Sequence, residues 1–333
     1  MLRRGRIAIC QYKRIKMQSE HIDFENWMAQ LPNSLREVPV INLAIPGSHD
    51  SGSCTISRSS AVSPDTSPVV KQLCKIFGAV VKRLVYNWVV TQHSSITEQL
   101  TGGIRYLDLR IATKQHSKNL YFVHGLYGDE ISNILKDVRE YLDTHVKEIV
   151  ILDFQHFYSF RENDHSNMLG IIHNTFGRKL CPCFDNLYHV TLNWMFAHGY
   201  QVIVIYRSRA AAYMQTCWPS SAWPTPWPNT TDVDEMFRFL TQKLASRPPN
   251  AGYVTQCVLT PDGPLILLHP FSTLEQRCAS ICNTASIPWL EKQIPGPEGI
   301  NVVIFDFFDM AKIPFCQTII QLNHKLLKHN VET

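Results

Sequence analysis

Short apolar runs that end in a histidine or a charged residue recur along this chain, and they alternate with segments of helical periodicity. Such runs between turn signals predict buried strands, and strands that alternate with helices predict βαβ units and a parallel sheet. About seven units fit a TIM-type (β/α) barrel that is irregular or one strand short of eight, with a doubly wound sheet as the alternative. The predicted strands are residues 38–45, 104–111, 120–124, 148–154, 201–207, 253–259 and 301–306.

The position of the polar residues distinguishes these two folds. In a barrel the carboxyl ends of all strands converge on one mouth, whereas in an open sheet they are spread along an edge. Polar residues at or just beyond six strand ends therefore favour the barrel and predict a functional site at its mouth. These residues are His49, Asp108 with Arg110, His124, Asp153, Arg207 and Asp306.

The chain shows no linker that would divide it into several domains. Its 333 residues are 45% hydrophobic and 18% charged, which is ordinary globular composition. We therefore predict one barrel domain at residues 23–328, a disordered basic tail at residues 1–22 and a short tail at residues 329–333. The net charge of only +4 argues against a nucleic-acid-binding protein with a wide basic face.

Targeting signals are not evident in the sequence. Residues 1–16 lack the apolar core of a signal peptide, and the apolar run at residues 76–90 is too short and too charged to span a bilayer. These features predict a soluble, cytoplasmic protein that meets membranes only peripherally. The ten cysteines are then expected to be reduced thiols.

Two histidines and an arginine at one mouth suit the cleavage of a phosphodiester. One imidazole can remove a proton from an attacking hydroxyl while the other protonates the leaving oxygen, since both titrate near neutral pH. An arginine can bind the phosphate through two hydrogen bonds, and an aspartate bonded to the base fixes its tautomer.

Four stretches carry a family resemblance: NLAIPGSHDSGS at 42–53, GGIRYLDLRIA at 102–112, LYFVHGLYG at 120–128 and KEIVILDFQHF at 147–157. They resemble the X region of phosphatidylinositol-specific phospholipases C, and the small X domain-containing subgroup in particular. The resemblance runs from about residue 23 to residue 327, and it implies a barrel that cleaves inositol phospholipid to diacylglycerol and a (cyclic) inositol phosphate.

The resemblance also implies roles for individual residues. His49 matches the general base and His124 the general acid, and Arg110 matches the phosphate-binding arginine of metal-free bacterial enzymes. Asp306, in preference to Asp309, matches the carboxylate that supports the base. The remaining predicted site residues are Asp50 and Asp108 as acidic partners of the arginine, Arg207 as a head-group contact, and Asp153 and Gln155 as further substrate-binding residues.

The sequence departs from the calcium-dependent members of the family. The large eukaryotic enzymes hold calcium with an asparagine after the base, two acidic residues on the second strand and a glutamate ending the fourth. Asp50, Arg110 and Gln155 stand at three of these four places, and only Asp108 remains acidic. Calcium needs several oxygen ligands and a guanidinium repels it, so we predict catalysis with no cofactor.

Two other functions remain as alternatives. A metal-dependent glycerophosphodiesterase shares the barrel, but it would need acidic ligands where Arg110 and Gln155 stand. A non-catalytic phosphoinositide-binding module is the second. Partners other than inositol phospholipid and a transient membrane surface are not predicted, and the oligomeric state is left open. Three tryptophans, Trp218, Trp223 and Trp227, form either a membrane-interface rim or a packed lid.

Overall fold

A curled parallel β-sheet lies at the centre of the protein. The computed structural model describes residues 22–184 and 186–329. The parallel strands follow the order β7-β6-β5-β2-β1-β9-β8, which confirms an α/β fold of the TIM-barrel type. The strands are β1 Ile45–Ser48, β2 Tyr106–Thr113, β3 Leu120–His124, β4 Leu126–Glu130, β5 Val150–Tyr158, β6 Val202–Tyr206, β7 Cys217–Trp218, β8 Val254–Gln256 and β9 Val302–Phe305.

Helices surround the sheet and connect its strands. They are α1 Trp27–Gln30, α2 Asn33–Arg36, α3 Pro68–Phe77, α4 Ala79–Val89, α5 Ile96–Thr101, α6 Ile131–Thr144, α7 Glu162–Phe176, α8 Leu192–His198, α9 Val233–Leu244, α10 Gly263–Leu268, α11 Ser280–Leu290, α12 Phe315–Leu322 and α13 Leu326–His329. The predicted basic tail lies outside the described residues except for Ile22, as do positions 330–333 of the predicted C-terminal tail.

The apolar strands are buried on both faces, as their composition predicts for a parallel sheet covered by helices. All five residues of β6 and all four of β9 are buried. One continuous apolar core extends from Trp27 to Leu322. This rigid scaffold holds the strand ends, and therefore the polar side chains beyond them, in fixed positions.

The prediction that residues 120–124 form a barrel strand is wrong in its pairing. β3 instead pairs antiparallel with β2 and with β4, and Gly125 forms the turn between β3 and β4 with a φ of 68°. Glycine adopts this left-handed conformation without a Cβ clash, whereas most residues do not. The hairpin thus returns toward β2 and brings His124, at its tip, to the barrel mouth.

The first strand differs from the prediction at its start. It begins at Ile45, since residues Val40–Asn42 form a 3-10 turn after Pro39. The apolar run at residues 76–90 lies on two helices, α3 and α4, which meet at Gly78 with a φ of 51°.

An irregular segment lies between the two outermost parallel strands. The carbonyl oxygens of Ala222 and Pro224 accept hydrogen bonds from Gly252 and Val254, at 2.9 and 3.0 Å, beside β8. Prolines in this segment lack the N–H groups that a regular strand would need. Of the tryptophans here, Trp218 and Trp223 are buried and only Trp227 is exposed, so a membrane rim of three tryptophans is wrong.

Candidate active site

The turn after β1 carries His49 and Asp50 into the barrel mouth. Asp50 has φ 43° and ψ 54°, a left-handed conformation that aspartate tolerates better than most residues. The His49 N–H donates to the Phe305 carbonyl at the end of β9, at 3.1 Å. Thr91 Oγ1 and Gln92 Nε2 both donate to the His49 carbonyl at 3.0 Å. The backbone of this turn is therefore fixed from two sides.

One nitrogen of His49 is committed to a carboxylate. Nδ1 lies 2.7 Å from Asp306 Oδ1, so it carries a proton and donates it to the oxygen. Nε2 consequently faces the mouth and is free to exchange a proton. Asp309, the less favoured candidate in the sequence, instead accepts from Ser94 Oγ at 2.5 Å.

His124 is oriented by a backbone carbonyl rather than by a carboxylate. Its Nδ1 lies 2.7 Å from the Val89 oxygen, which can only accept, so Nδ1 is the donor. Its Nε2 lies 3.3 Å from Asp50 Oδ2. His49 Nε2 lies 3.2 Å from the same oxygen. The two reactive nitrogens thus meet across one buried carboxylate, with ring centroids 6.3 Å apart.

Arg110 supplies a permanent positive charge at this point. Its Nε lies 2.6 Å from Asp50 Oδ1, and its Nη2 lies 3.1 Å from His49 Nε2. Asp108 Oδ2 accepts from the Asp50 N–H at 3.2 Å. Both Asp50 oxygens and Asp108 Oδ1 are buried, and none accepts a well-aligned hydrogen bond from the described residues. The cluster is therefore held mainly by charge and not by well-aligned hydrogen bonds.

Burial and charge set the protonation of the cluster. Burial disfavours the imidazolium of His49, but the carboxylates of Asp50 and Asp306 outweigh it and raise the pKa to about 9. Burial raises the pKa of Asp50, but Arg110 and His124 outweigh it, so the pKa is lowered. The pKa of Asp108 is raised by burial and by the neighbouring Asp50. Asp50 is thus the ionised carboxylate between two basic side chains.

A second polar layer lies beside the first, on β5 and β6. Asp153, which pairs in register with Asp108, accepts from Arg207 Nε at 2.8 Å and from Arg207 Nη2 at 2.6 Å. Tyr106 Oη donates to Asp153 Oδ2 at 2.6 Å, and Gln155 Nε2 donates to the same oxygen at 3.2 Å. The structure thus joins these predicted substrate-binding residues to one another, and Arg207 is paired with Asp153.

A β-bulge places His156, which is absent from the predicted site, beside Arg110. The pairing of β2 with β5 shifts by one residue, so that Leu109 faces Phe154 while Arg110 faces His156. Bulges redirect side chains in this way beside active sites. Burial first, and then the charge of Arg110, lower the pKa of His156. The sequence shows no spacing that would reveal a bulge, so His156 is not among the site residues predicted from the sequence.

The donor set resembles a cation site only in part. His49, Asp50 and Asp108 each place one ligand atom within 4.8 Å of the others. Calcium requires six or more oxygen ligands, and these three residues offer two carboxylates. Arg110 Nε already lies 2.6 Å from Asp50 Oδ1, so a positive charge adjoins the ligand that a metal would need. The residues present therefore fit calcium poorly.

Comparison with known structures supports the same architecture. A phosphatidylinositol-specific phospholipase C from Staphylococcus aureus aligns with a TM-score of 0.64 at 18% identity, over 90% of this chain and 98% of that one. The enzyme of the same name from Listeria monocytogenes aligns with a TM-score of 0.63 at 18% identity, over 90% and 99%. At this identity the likeness establishes the fold alone.

Sequence comparison establishes the family. Residues 84–193 match the model described as phosphatidylinositol-specific phospholipase C, X domain. PI-PLC X domain-containing protein 3 of Mus musculus is 37% identical over 91% of this chain and 94% of the relative. PI-PLC X domain-containing protein 2 of Mus musculus is 37% identical over 98% and 95%, and protein 1 of Homo sapiens is 33% identical over 91% and 93%. The chain therefore belongs to the PI-PLC X domain-containing proteins.

Proposed function

We propose that this protein is a phosphoric diester hydrolase that cleaves inositol phospholipid by metal-free acid–base catalysis. One observation carries the proposal: the Nε2 atoms of His49 and His124 lie 3.2 and 3.3 Å from the same Asp50 oxygen. Each Nδ1 is anchored as a donor, so each Nε2 is the atom that can exchange a proton. Two such imidazoles on opposite sides of one phosphate can act as base and acid.

The first step is an attack within the substrate. His49 Nε2 removes the proton of the inositol 2-hydroxyl, and that oxygen forms a bond to the adjacent phosphorus. The bond from phosphorus to the diacylglycerol oxygen breaks, and His124 Nε2 protonates the departing oxygen. Arg110 stabilises the negative charge that develops on the phosphoryl oxygens. The products are diacylglycerol and a cyclic inositol phosphate.

A second step regenerates the resting protonation state. His124, now neutral, accepts a proton from water as the water oxygen attacks the cyclic phosphate. His49, now an imidazolium stabilised by Asp306, protonates the leaving inositol oxygen. In both steps Asp50 keeps a negative charge between the two rings, which stabilises whichever ring is charged.

Exposed apolar side chains around the mouth support transient contact with a membrane. They lie on segments that follow the carboxyl ends of strands, which is the face where the substrate would enter. On α3 and α4 they are accompanied by Lys71 and Lys75, which suit an anionic surface. The exposed residues are Val69, Ile76, Phe77 and Val80 on α3 and α4, and Leu267, Leu268 and Phe271 on and after α10.

The lengths of the helices limit how the protein can contact a membrane. Over the described ranges, every helix is too short or too polar to cross a bilayer. We propose peripheral docking at the cytoplasmic leaflet, where the apolar rim would enter the head-group region while the barrel remains in water.

The experiment is product release from phosphatidylinositol vesicles, with a chelator or with added calcium. The proteins are wild type, His49→Ala and the control His173→Ala, which removes an exposed histidine on α7. Cleavage that persists with chelator in wild type and control, and is lost in His49→Ala, is the expected result. Cleavage that requires calcium would overturn the metal-free mechanism. Vesicle binding without cleavage under any condition would instead indicate a phosphoinositide-binding module.

A further inference from the structure

A large polar groove lies beside the barrel mouth, separate from the histidine cluster. Its volume is about 1340 Å³, and its walls are the β2–β3 turn and the beginnings of α6 and α7. Thr113, the last residue of β2, and Ser159, the first residue after β5, also line it. Thr113 follows Arg110 by three residues, so the groove lies on the order of 10 Å beyond the catalytic arginine along the strand.

Three cations line this groove, and their charges are not neutralised within it. Among the residues that the structure describes, Lys114, Lys118 and Arg161 have no carboxylate within ion-pair distance. The one acidic residue of the lining, Asp164, has its carboxylate engaged at 2.7 Å by the Arg161 backbone N–H at the start of α7. The groove therefore presents excess positive charge on the face of the mouth.

One of these cations is held in place by aromatic rings. The ammonium group of Lys114 lies 4.9 Å from the ring centroid of Tyr121 and 5.2 Å from that of Tyr127. Tyr127 is fixed in turn, since its hydroxyl donates to the Thr113 carbonyl at 2.8 Å. A cation over aromatic faces is oriented without being neutralised, so Lys114 keeps its full charge for a ligand.

We propose that this groove is a second anion site, which binds an inositol ring bearing phosphomonoester groups. Lys114, Lys118 and Arg161 would bind the phosphates, because charge-assisted hydrogen bonds to phosphate are strong and Arg and Lys are suited to them. Ser117, Asn163 and Asn167 offer hydroxyl and amide groups for the ring hydroxyls. The volume exceeds the roughly 300–1,000 Å³ of ordinary ligand pockets and leaves room for several phosphates.

The groove differs from the catalytic mouth in what it can do. It lacks the paired imidazoles of His49 and His124, so it binds and does not cleave. Because it opens on the same face, it can take either the head group of a second lipid or a free inositol phosphate. The shared chemistry is the phosphorylated inositol, and the proposal does not depend on cleavage at the mouth.

The test uses the full chain carrying His49→Ala, so that lipid is not consumed. Lys118→Ala with Arg161→Ala removes two groove cations, and Lys147→Ala with Arg178→Ala removes two exposed cations elsewhere. The probes are inositol 1,4,5-trisphosphate in calorimetry, and phosphatidylcholine vesicles with or without phosphatidylinositol 4,5-bisphosphate. We expect binding roughly tenfold weaker for each groove cation removed, and unchanged in the control.

The two probes distinguish a free inositol phosphate from a lipid head group. The cleavage assay distinguishes this second site from the proposed hydrolase. A groove-dependent loss with the free trisphosphate supports a soluble ligand, and one confined to vesicles supports a lipid head group. Equal weakening in the groove and control variants, or binding of neither probe, overturns the second site. Cleavage that fails in the otherwise wild-type protein while groove-dependent binding persists would overturn the proposed hydrolase and leave this site intact.

Discussion

Strand β2 carries a buried cluster of charges near each of its ends, and the two clusters are built differently. At the amino end, Arg105 pairs with Glu148 at 2.9 Å, and both side chains are fully buried. At the carboxyl end, Arg110 pairs with Asp50 at 2.6 Å, and 21% of the arginine side chain is exposed. The same strand therefore allows a direct comparison of two environments for a buried ion pair.

The amino-end cluster is saturated with hydrogen bonds. Its carboxylate accepts from two backbone N–H groups as well as from Arg105 Nε, and its guanidinium donates to four backbone carbonyls. The cluster ties the first described helix to the bottom of the barrel. Its partners are Met28 and Ala29 for Glu148, and Phe24, Glu25, Leu100 and Ile104 for Arg105.

The mouth cluster has charges of similar strength but incomplete hydrogen bonding. Asp50 and Asp108 keep buried oxygens without well-aligned donors from the described residues. Unsatisfied buried polar groups cost free energy, and at the mouth the charges of Arg110 and the two histidines offset part of that cost. The difference teaches that two ion pairs on one strand can share burial and charge and yet differ in how completely their acceptors are hydrogen-bonded.

The largest effect is expected from removing either imidazole at the mouth. His49→Ala and His124→Ala should each lower vesicle cleavage on the order of 10²- to 10⁴-fold, because each removes one proton-transfer group. Cleavage rates and urea unfolding of both variants provide the measurement. Loss in His49→Ala alone, with full activity in His124→Ala, would contradict the two-histidine mechanism.

The second-largest effect is expected at the amino end of β2. It should lower the free energy of unfolding and leave the cleavage rate unchanged. Glu148→Ala leaves the Arg105 guanidinium buried without its carboxylate, and breaking such a pair costs about 3–5 kcal/mol. Urea unfolding should show this loss, while cleavage per folded molecule stays near wild type. Glu148→Gln, which keeps an acceptor oxygen, should lose less. Wild-type stability in Glu148→Ala would refute the contrast between the two ends.

A smaller effect is expected on the pH dependence of cleavage when Asp306 is replaced. Asp306 is one of the carboxylates that raise the pKa of His49 to about 9. Asp306→Asn removes that negative charge, so the imidazolium loses its proton at lower pH. The acid limb of kcat/KM, which reports the free base, should therefore shift to lower pH. Asp309→Asn is the matched control, and an equal shift in that variant would exclude Asp306 as the supporting carboxylate.

The smallest effect is expected from the second polar layer, which surrounds Asp153. Tyr106→Phe removes the hydroxyl that donates to Asp153 at 2.6 Å, and a lost hydrogen bond to a buried carboxylate costs roughly 1.5 kcal/mol or more. Unfolding should register this loss, and cleavage should change little because Arg207 still holds Asp153. A fall in cleavage as large as in the histidine variants would show that this layer takes part in catalysis.

The sequence predicted the convergence of the polar strand ends because a barrel geometry requires it. His49, Asp108, Arg110 and Asp306 come together as expected, since apolar strands ending in polar residues have few alternative arrangements. The antiparallel hairpin at His124 was missed because composition does not distinguish parallel from antiparallel pairing.

The details that set the site geometry depend on contacts distant in sequence. Thr91 and Gln92 fix the His49 carbonyl from a loop about forty residues away, and Val89 orients His124. His156 reaches the mouth through a bulge, which depends on strand register and not on local pattern. Such contacts form only when the chain is folded, so residue type and spacing alone could not reveal them.

The left-handed backbone at Asp50 has a consequence for which residues position 50 can accept. Asparagine enters this conformation as readily as aspartate, whereas β-branched residues do so only at high cost. The main chain at position 50 therefore accepts an amide in place of the carboxylate without adjustment. The cost of that exchange would fall on the side chains, since Arg110 would lose the buried carboxylate that lies 2.6 Å from its Nε.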